Sequence, residues 1–183
     1  MAAEIAWIDL ETTGLEPNHG HFPLQIAIVL TDENFEEIAS IERKVYFRED
    51  FLKTLRSLSD EYVNAMHEKT GLWNAVVDET QATPLMKLEA ELISWIQSYV
   101  PIEKVLILGG NSISLDREFL REFFPKIYRH LSYRSLDMTS VENFFTFTEG
   151  RAPFEKEWAH SALDDIRESI EQARYHKRLS IPF

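Results

Sequence analysis

The sequence predicts an α/β sandwich built on a mixed sheet. Three strand-like segments follow one another early in the chain with short links, the pattern of an antiparallel meander. Beyond them, helix-like and strand-like segments alternate, which calls for parallel crossovers in the same sheet. Of the 183 residues, 44% are hydrophobic, enough for the packed core of one ordinary domain. Neither a repeat, a low-complexity tract nor a linker divides residues 1–183, so a single domain is expected.

The elements follow in order. Residues 4–10 read as a short buried strand, and residues 25–31 (QIAIVLT) and 38–47 (IASIERKVYF) as two more, with Asp32-Glu33-Asn34 as a turn between them. Ser59 reads as an N-cap with Asp60 and Glu61 in a first helical turn, and Gly71 as the stop of that helix. Thr83-Pro84 is a helix start, followed by Leu85, Leu88, Leu92, Trp95, Ile96 and Tyr99 at helical spacing until Pro101. Residues 104–108 (KVLIL) read as a buried strand ended by Gly109-Gly110. Ser114 caps a predicted helix through Phe124, with Pro125 ending or restarting it. Residues 133–136 form the fifth predicted strand, a helix follows from about Thr139, and the last helix covers residues 161–179.

Composition narrows the functions. The chain has no cysteine, which removes disulfides, thiolate metal sites and thiol nucleophiles and suits a cytoplasmic setting. The first ten residues carry Glu4 and Asp9 without a basic flank, unlike a signal peptide, and no apolar run is long enough to span a bilayer. The net charge of −12 opposes a protein that grips long nucleic acid, because phosphate-backbone affinity comes largely from Lys and Arg. It does not oppose one that holds one or two phosphates locally and leaves the rest to metal ions.

Three acidic segments carry chemistry. In the first, Asp9-Leu10-Glu11-Thr12-Thr13-Gly14-Leu15, side chains two apart in a strand share a face, so Asp9 and Glu11 stand side by side. Two such carboxylates raise each other's pKa unless a cation lies between them, and a hard divalent ion is the usual partner. Alone, the pair also fits a solvated turn. In the second, residues 110–120, Asp116 lies near the start of a helix just beyond a buried strand; it fits a third ligand, or a first-turn Asp favoured by the helix dipole. The third is HSALDDIRES, residues 160–169. Asp165 lies on a helix and His160 just before it, where both can border one cleft, and histidine is suited to take a proton near neutral pH. His160 also fits a helix-entry residue, with Ser161 and Asp164 in a capping box.

The order D-x-E, D, H-x4-D, each beside a strand or helix end, resembles the DEDDh exonuclease superfamily, and within it the oligoribonucleases. The resemblance rests on residues 7–11, Gly110-Asn111-Ser112, Tyr133-Arg134 with Leu136-Asp137, and 160–169. It implies a ribonuclease-H-like fold with a five-stranded mixed sheet, three strands antiparallel and then two parallel, flanked by helices. It implies that Asp9, Glu11, Asp116 and Asp165 hold two divalent ions, Mg²⁺ or Mn²⁺, with His160 as general base. It further implies that Leu15 wedges between bases, that Tyr62 and His67 lie around them, and that Ser112, Arg134 and Thr139 cap a 5′ phosphate. Tyr133 would reach across a homodimer. The expected activity is 3′→5′ hydrolysis of short oligoribonucleotides, dinucleotides above all, to nucleoside 5′-monophosphates.

The chain also departs from the oligoribonuclease pattern. Thr12 replaces the usual Met, Gln25 the usual Glu, Tyr62 the usual Trp and Thr139 the usual Ser, and residues 141–153 lack the basic, Trp-containing run. Thr12 and Gln25 favour a second reading, a broader DEDDh exonuclease acting on single-stranded DNA or RNA ends. A nucleotide-binding module without catalysis is a third, against which all five catalytic residues are present.

Overall fold

Alternation along the first strand decides which face of the sheet becomes the site. The protein is described here by a computed structural model, which covers residues 2–155 and 161–180. Strand β1 (Ile5–Thr12) sends Ala6 and Ile8 into the larger core, and Ile5 and Trp7 into a second core on the other face. Asp9 and Glu11 continue that second face at the carboxyl end of the strand.

The sheet has six strands in the order β4-β3-β2-β1-β5-β6, with β2 Pro23–Thr31, β3 Glu37–Val45, β4 Ala82–Thr83, β5 Leu106–Gly110 and β6 Leu131–Asp137. β1, β2 and β3 form the expected antiparallel meander, and β5 and β6 continue it in parallel from β1. The sixth strand, β4, adds only two residues, parallel to β3. The five-strand expectation missed it because two residues carry no periodicity.

Eight α-helices are described: α1 Glu49–Leu58, α2 Glu61–Lys69, α3 Leu72–Ala75, α4 Leu85–Gln97, α5 Ser114–Phe123, α6 Pro125–Arg129, α7 Met138–Glu149 and α8 Ala162–Ser180. α4 buries Leu88, Leu92 and Ile96 in the larger core. α8 covers the other face with Ala162, Ile166, Ile170 and Ala173. None of the described helices is long and apolar enough to cross a membrane.

Local differences from expectation have physical causes. Asp60, not Ser59, caps α2: its carboxylate accepts from the Val63 N–H at 2.8 Å, while the Ser59 N–H closes α1 on the Leu55 carbonyl at 3.1 Å. Helix α5 starts without a side-chain cap. β5 begins at Leu106 rather than Lys104, whose N–H closes a turn on the Pro101 carbonyl at 3.0 Å. It also runs through both glycines, and a Cβ on Gly109 would sit 2.8 Å from the Trp7 ring. That indole therefore lies against bare backbone, which lets it bury completely.

Trp7 donates its ring N–H to the Thr31 hydroxyl at 2.9 Å inside this core. Thr31→Val keeps the shape and removes the acceptor, leaving a buried donor unpaired. We expect a loss of about 1–3 kcal/mol in urea unfolding, partly recovered in the Trp7→Phe/Thr31→Val double variant.

Candidate active site

The site opens where β1 outruns its parallel neighbour. β5 pairs with β1 only as far as Trp7, so the next part of β1 has a bare edge facing α5. Such a gap at the carboxyl ends of parallel strands is where open α/β sheets bind ligands. Asp116, in the first turn of α5, fills part of it by accepting from the Leu10 N–H at 3.1 Å. Asp165, in the first turn of α8, approaches from above the same face.

Asp9, Glu11 and Asp165 each place a carboxylate oxygen within 4.8 Å of the other two. Asp116 stands behind them, and its electrostatic coupling is stronger to Asp9 than to Glu11. Burial, then Asp9, Asp165 and Glu42, pushes the Glu11 carboxyl from its ordinary 4.5 up to about 8. Burial and the Asp9 charge hold Asp116 well above the usual carboxylate range, against two backbone N–H bonds that favour its anion. Oxygen donors gathered this closely at a proton-affinity cost fit a hard divalent cation, which relieves the repulsion by taking the protons' place. Glu42 belongs to the same face: Asp9, Ala27 and Glu42 lie opposite one another across β1, β2 and β3.

A cleft of about 560 Å³ runs from these acids between β5, α7 and α8. Asn111, Ser112, Thr139 and Ser169 line it with Asp9 and Asp165. A chain of hydrogen bonds fixes its wall. The Ser169 hydroxyl donates to the Asp165 carbonyl at 2.8 Å, Asn111 Nδ2 to Ser169 Oγ at 2.7 Å, and Thr139 Oγ1 to Asn111 Oδ1 at 3.2 Å. Ser112 takes a left-handed φ of 50°. Asp137 holds it there, accepting from both the Ser112 and Thr139 N–H groups at 3.1 and 3.0 Å. Glu142, also in the cleft, accepts from the Phe154 N–H at 2.6 Å and ties residues 150–155 to α7. None of the described lining residues is Lys or Arg.

The structure separates the remaining expected residues. Leu15 and Tyr62 are each 68% exposed, on the loop after β1 and at the start of α2. Tyr133 is 83% exposed; Arg134 donates to its hydroxyl at 3.1 Å and stacks over its ring, outside the described cleft lining. His67 is 1% exposed and bonded to the chain rather than open to a base. His160 lies outside the described residues. Asn111, Asp137, Glu42, Glu142 and Ser169 were not singled out as site residues. Ser169 follows Asp165 by four positions, a spacing that puts it on the same helix face; Glu42 becomes visible only once strand register is known.

Fold and acids together define an exonuclease of the RNase T class, and residues 6–173 match the model of that family, described as exonuclease. The chain is 34% identical over 177 residues to an oligoribonuclease of Francisella tularensis subsp. novicida, covering 97% of this chain and 96% of that one. It is 31% identical over 182 residues to an oligoribonuclease of Rhodococcus jostii, covering 97% and 88%. The chain therefore belongs to this exonuclease family, on its oligoribonuclease branch. Among solved structures, the fold is shared with exonuclease I of Methylocaldum szegediense (TM-score 0.72, 18% identity, 98% of this chain and 41% of that one). It is shared equally with the zinc-bound E. coli exonuclease I–ssDNA complex (TM-score 0.73, 17% identity, 98% and 41%). The chain thus spans about two-fifths of the length of those two enzymes.

The raised carboxyls give stability a pH dependence. A group whose folded pKa exceeds its unfolded value stabilises the fold fully below the unfolded pKa, and that contribution is lost as pH rises through the folded one. For Glu11 the window runs from 4.5 to about 8, and Asp116 acts in the same direction. In EDTA the Tm contribution of these acids should fall as pH rises across that window. Millimolar Mg²⁺ should suppress the fall, and Glu11→Gln should flatten it in EDTA; thermal melts with and without EDTA read both.

Proposed function

We propose that the protein is a single-domain, metal-dependent 3′→5′ exoribonuclease that hydrolyses short oligoribonucleotides, dinucleotides above all, to nucleoside 5′-monophosphates. The observation that carries this reading is the convergence of Asp9, Glu11 and Asp165 at the head of a short polar cleft. The relatives named oligoribonuclease support the choice of substrate.

Asp9, Glu11, Asp116 and Asp165 would hold two divalent ions, Mg²⁺ or Mn²⁺. Bound there, such ions acidify water and stabilise charge on the leaving oxygen. The chain's own groups do the rest. Asp9 and Glu11 would hold the ions, and through them the scissile phosphate, from the strand, and Asp165 would close the site from α8. His160 takes the proton of the attacking water. Ser112 and Thr139, whose hydroxyl oxygens lie 3.1 Å apart, offer hydrogen bonds to a terminal 5′ phosphate, with Arg134 as the nearby cation. Leu15 and Tyr62 present apolar surface to the bases. Tyr133, exposed beside Arg134, would complete the cap of a partner subunit in a homodimer. A cytoplasmic setting suits a cysteine-free enzyme of this kind.

The acidic exterior fits the same reading. A net charge of −12 repels long phosphate chains, whereas a substrate with one or two phosphates meets mainly the cleft. Gln25, 7% exposed and opposite Glu11 in the sheet, favours the broader reading, with single-stranded DNA ends also accepted. Labelled RNA and DNA dinucleotides compared at equal concentration separate the two.

A time course on a 5′-labelled RNA ladder with Mg²⁺ tests the whole proposal. We expect loss of nucleotides from the 3′ end, arrest by EDTA, and faster turnover per end on a dinucleotide than on a long strand. Equal rates per end, or release from the 5′ end, would sink it. Asp165→Asn should fold normally and lose at least about 100-fold in kcat, since it strips an inner ligand where even outer-sphere changes cost about 10–100-fold.

A further inference from the structure

The carbonyl of Thr12 sits at an interruption of the sheet. The Thr13 N–H bonds to the Phe22 carbonyl on the β2 side, so in the trans peptide the Thr12 carbonyl points the other way, to the edge of β1 that β5 leaves bare beyond Trp7. His67 supplies the missing donor: its Nε2 lies 2.8 Å from the Thr12 oxygen. A carbonyl can only accept, so Nε2 carries the proton, and in the neutral ring Nδ1 is left as an acceptor. That nitrogen lies 4.0 Å from Glu11 Oε2. On its far side the imidazole stands edge-on to Trp73, at 5.2 Å and 88°. Trp73 is itself 1% exposed and anchored by its ring N–H to the Asn64 carbonyl at 3.2 Å.

The ring is therefore held from behind and braces the end of β1 from within. Its 1% exposure leaves no face for a nucleobase. Just beyond it, Thr12 Oγ1 donates to the Gly14 carbonyl at 2.7 Å, and Thr13 and Phe22 exchange bonds at 2.9 Å. A Cβ at Gly14 would collide with the His21 ring at 2.4 Å. This close-packed turn presents Leu15 on one side and Glu11 on the other.

We infer that His67 is a positioning residue, which acts through the Thr12 carbonyl to fix the Glu11 carboxylate and the Leu15 turn and makes no contact with substrate. The inference rests on the exonuclease reading for its kinetic consequence, but not for its effect on cation binding. His67→Phe keeps a ring against Trp73 and removes the donor; His67→Gln removes the ring and returns an N–H at similar reach.

Two measurements test this. The first is titration of the full-length protein with Mn²⁺. We expect affinity about tenfold weaker in His67→Phe and near parental in His67→Gln, the scale of outer-sphere effects on metal sites. The second is turnover of an RNA dinucleotide and of the same molecule lacking its 3′ base. His67→Phe should lose about 10–100-fold in kcat by the same factor on both, with KM little changed and most of the loss regained in His67→Gln. A loss seen only on the base-bearing substrate, or only in KM, overturns the inference in favour of base contact. So does a folded His67→Gln that binds Mn²⁺ as weakly as His67→Phe, or a His67→Phe with parental Mn²⁺ affinity. Should His67→Phe fail to fold, a folded His67→Gln about tenfold weaker for Mn²⁺ than the parent overturns it. Absence of turnover by the parent would sink the exonuclease reading alone, because the Mn²⁺ titration still decides the role of His67.

Discussion

Carboxylates that the fold forces together under α8 set the terms for everything around them. Burial, and then like charges within a few ångströms, push the Glu11 carboxyl from its ordinary 4.5 up to about 8. A structure tolerates this only where the surrounding packing over-determines it, and here the packing is extensive. Trp7, fully buried two residues before Asp9, fixes the strand; Ile166 and Ile170 fix the helix that carries Asp165. The crowding of these oxygens suits a divalent cation, which would compete with protons for them.

Convergence follows from parity and from one strand ending early. Period two in β1 places Asp9 and Glu11 on the face that α8 covers. The short β5 bares the Leu10 N–H, and that donor draws in the Asp116 carboxylate from α5. The same bare edge exposes the Thr12 carbonyl, which the Thr13–Phe22 bond turns away from β2, and that acceptor draws in His67 from α2. Two backbone groups left unpaired on one edge of the same strand thus recruit side chains from two helices. Backbone groups denied a ladder partner must find another, and here the partners found are the side chains of Asp116 and His67.

The same physics explains what could be read from residues alone. β1 to β3 were legible to within about two residues because they are short runs rich in apolar and β-branched residues bounded by turn signals. α4 was legible from Thr83-Pro84 and the apolar stripe that ends at Pro101. α1 was not, although Leu52 and Leu55 are buried, because Arg48 at its start makes no side-chain cap and gives no start signal. Among site residues, the D-x-E pair and the acids at helix starts were visible as local patterns. The burial of His67, the approach of Glu42 and the turning of Arg134 onto Tyr133 were not, since each depends on register or on a neighbour distant in sequence.

Helix α8 joins the two halves of the problem. Ile166, Ile170 and Ala173 on one side seal the smaller core, and Asp165 and Ser169 on another border the cleft. Because a helix is stiff over such distances, a change that shifts its packing shifts Asp165 with it. The bond chain from Ser169 through Asn111 to Thr139 then carries that displacement to Ser112, across the cleft. Position of the acids and shape of the cleft wall are therefore one mechanical unit. Without lysine or arginine among the described lining residues, that wall offers an anion only hydroxyls, amides and whatever cation the acids hold. Such a wall suits a small ligand gripped at both ends, and gives a long polyanion nothing to follow.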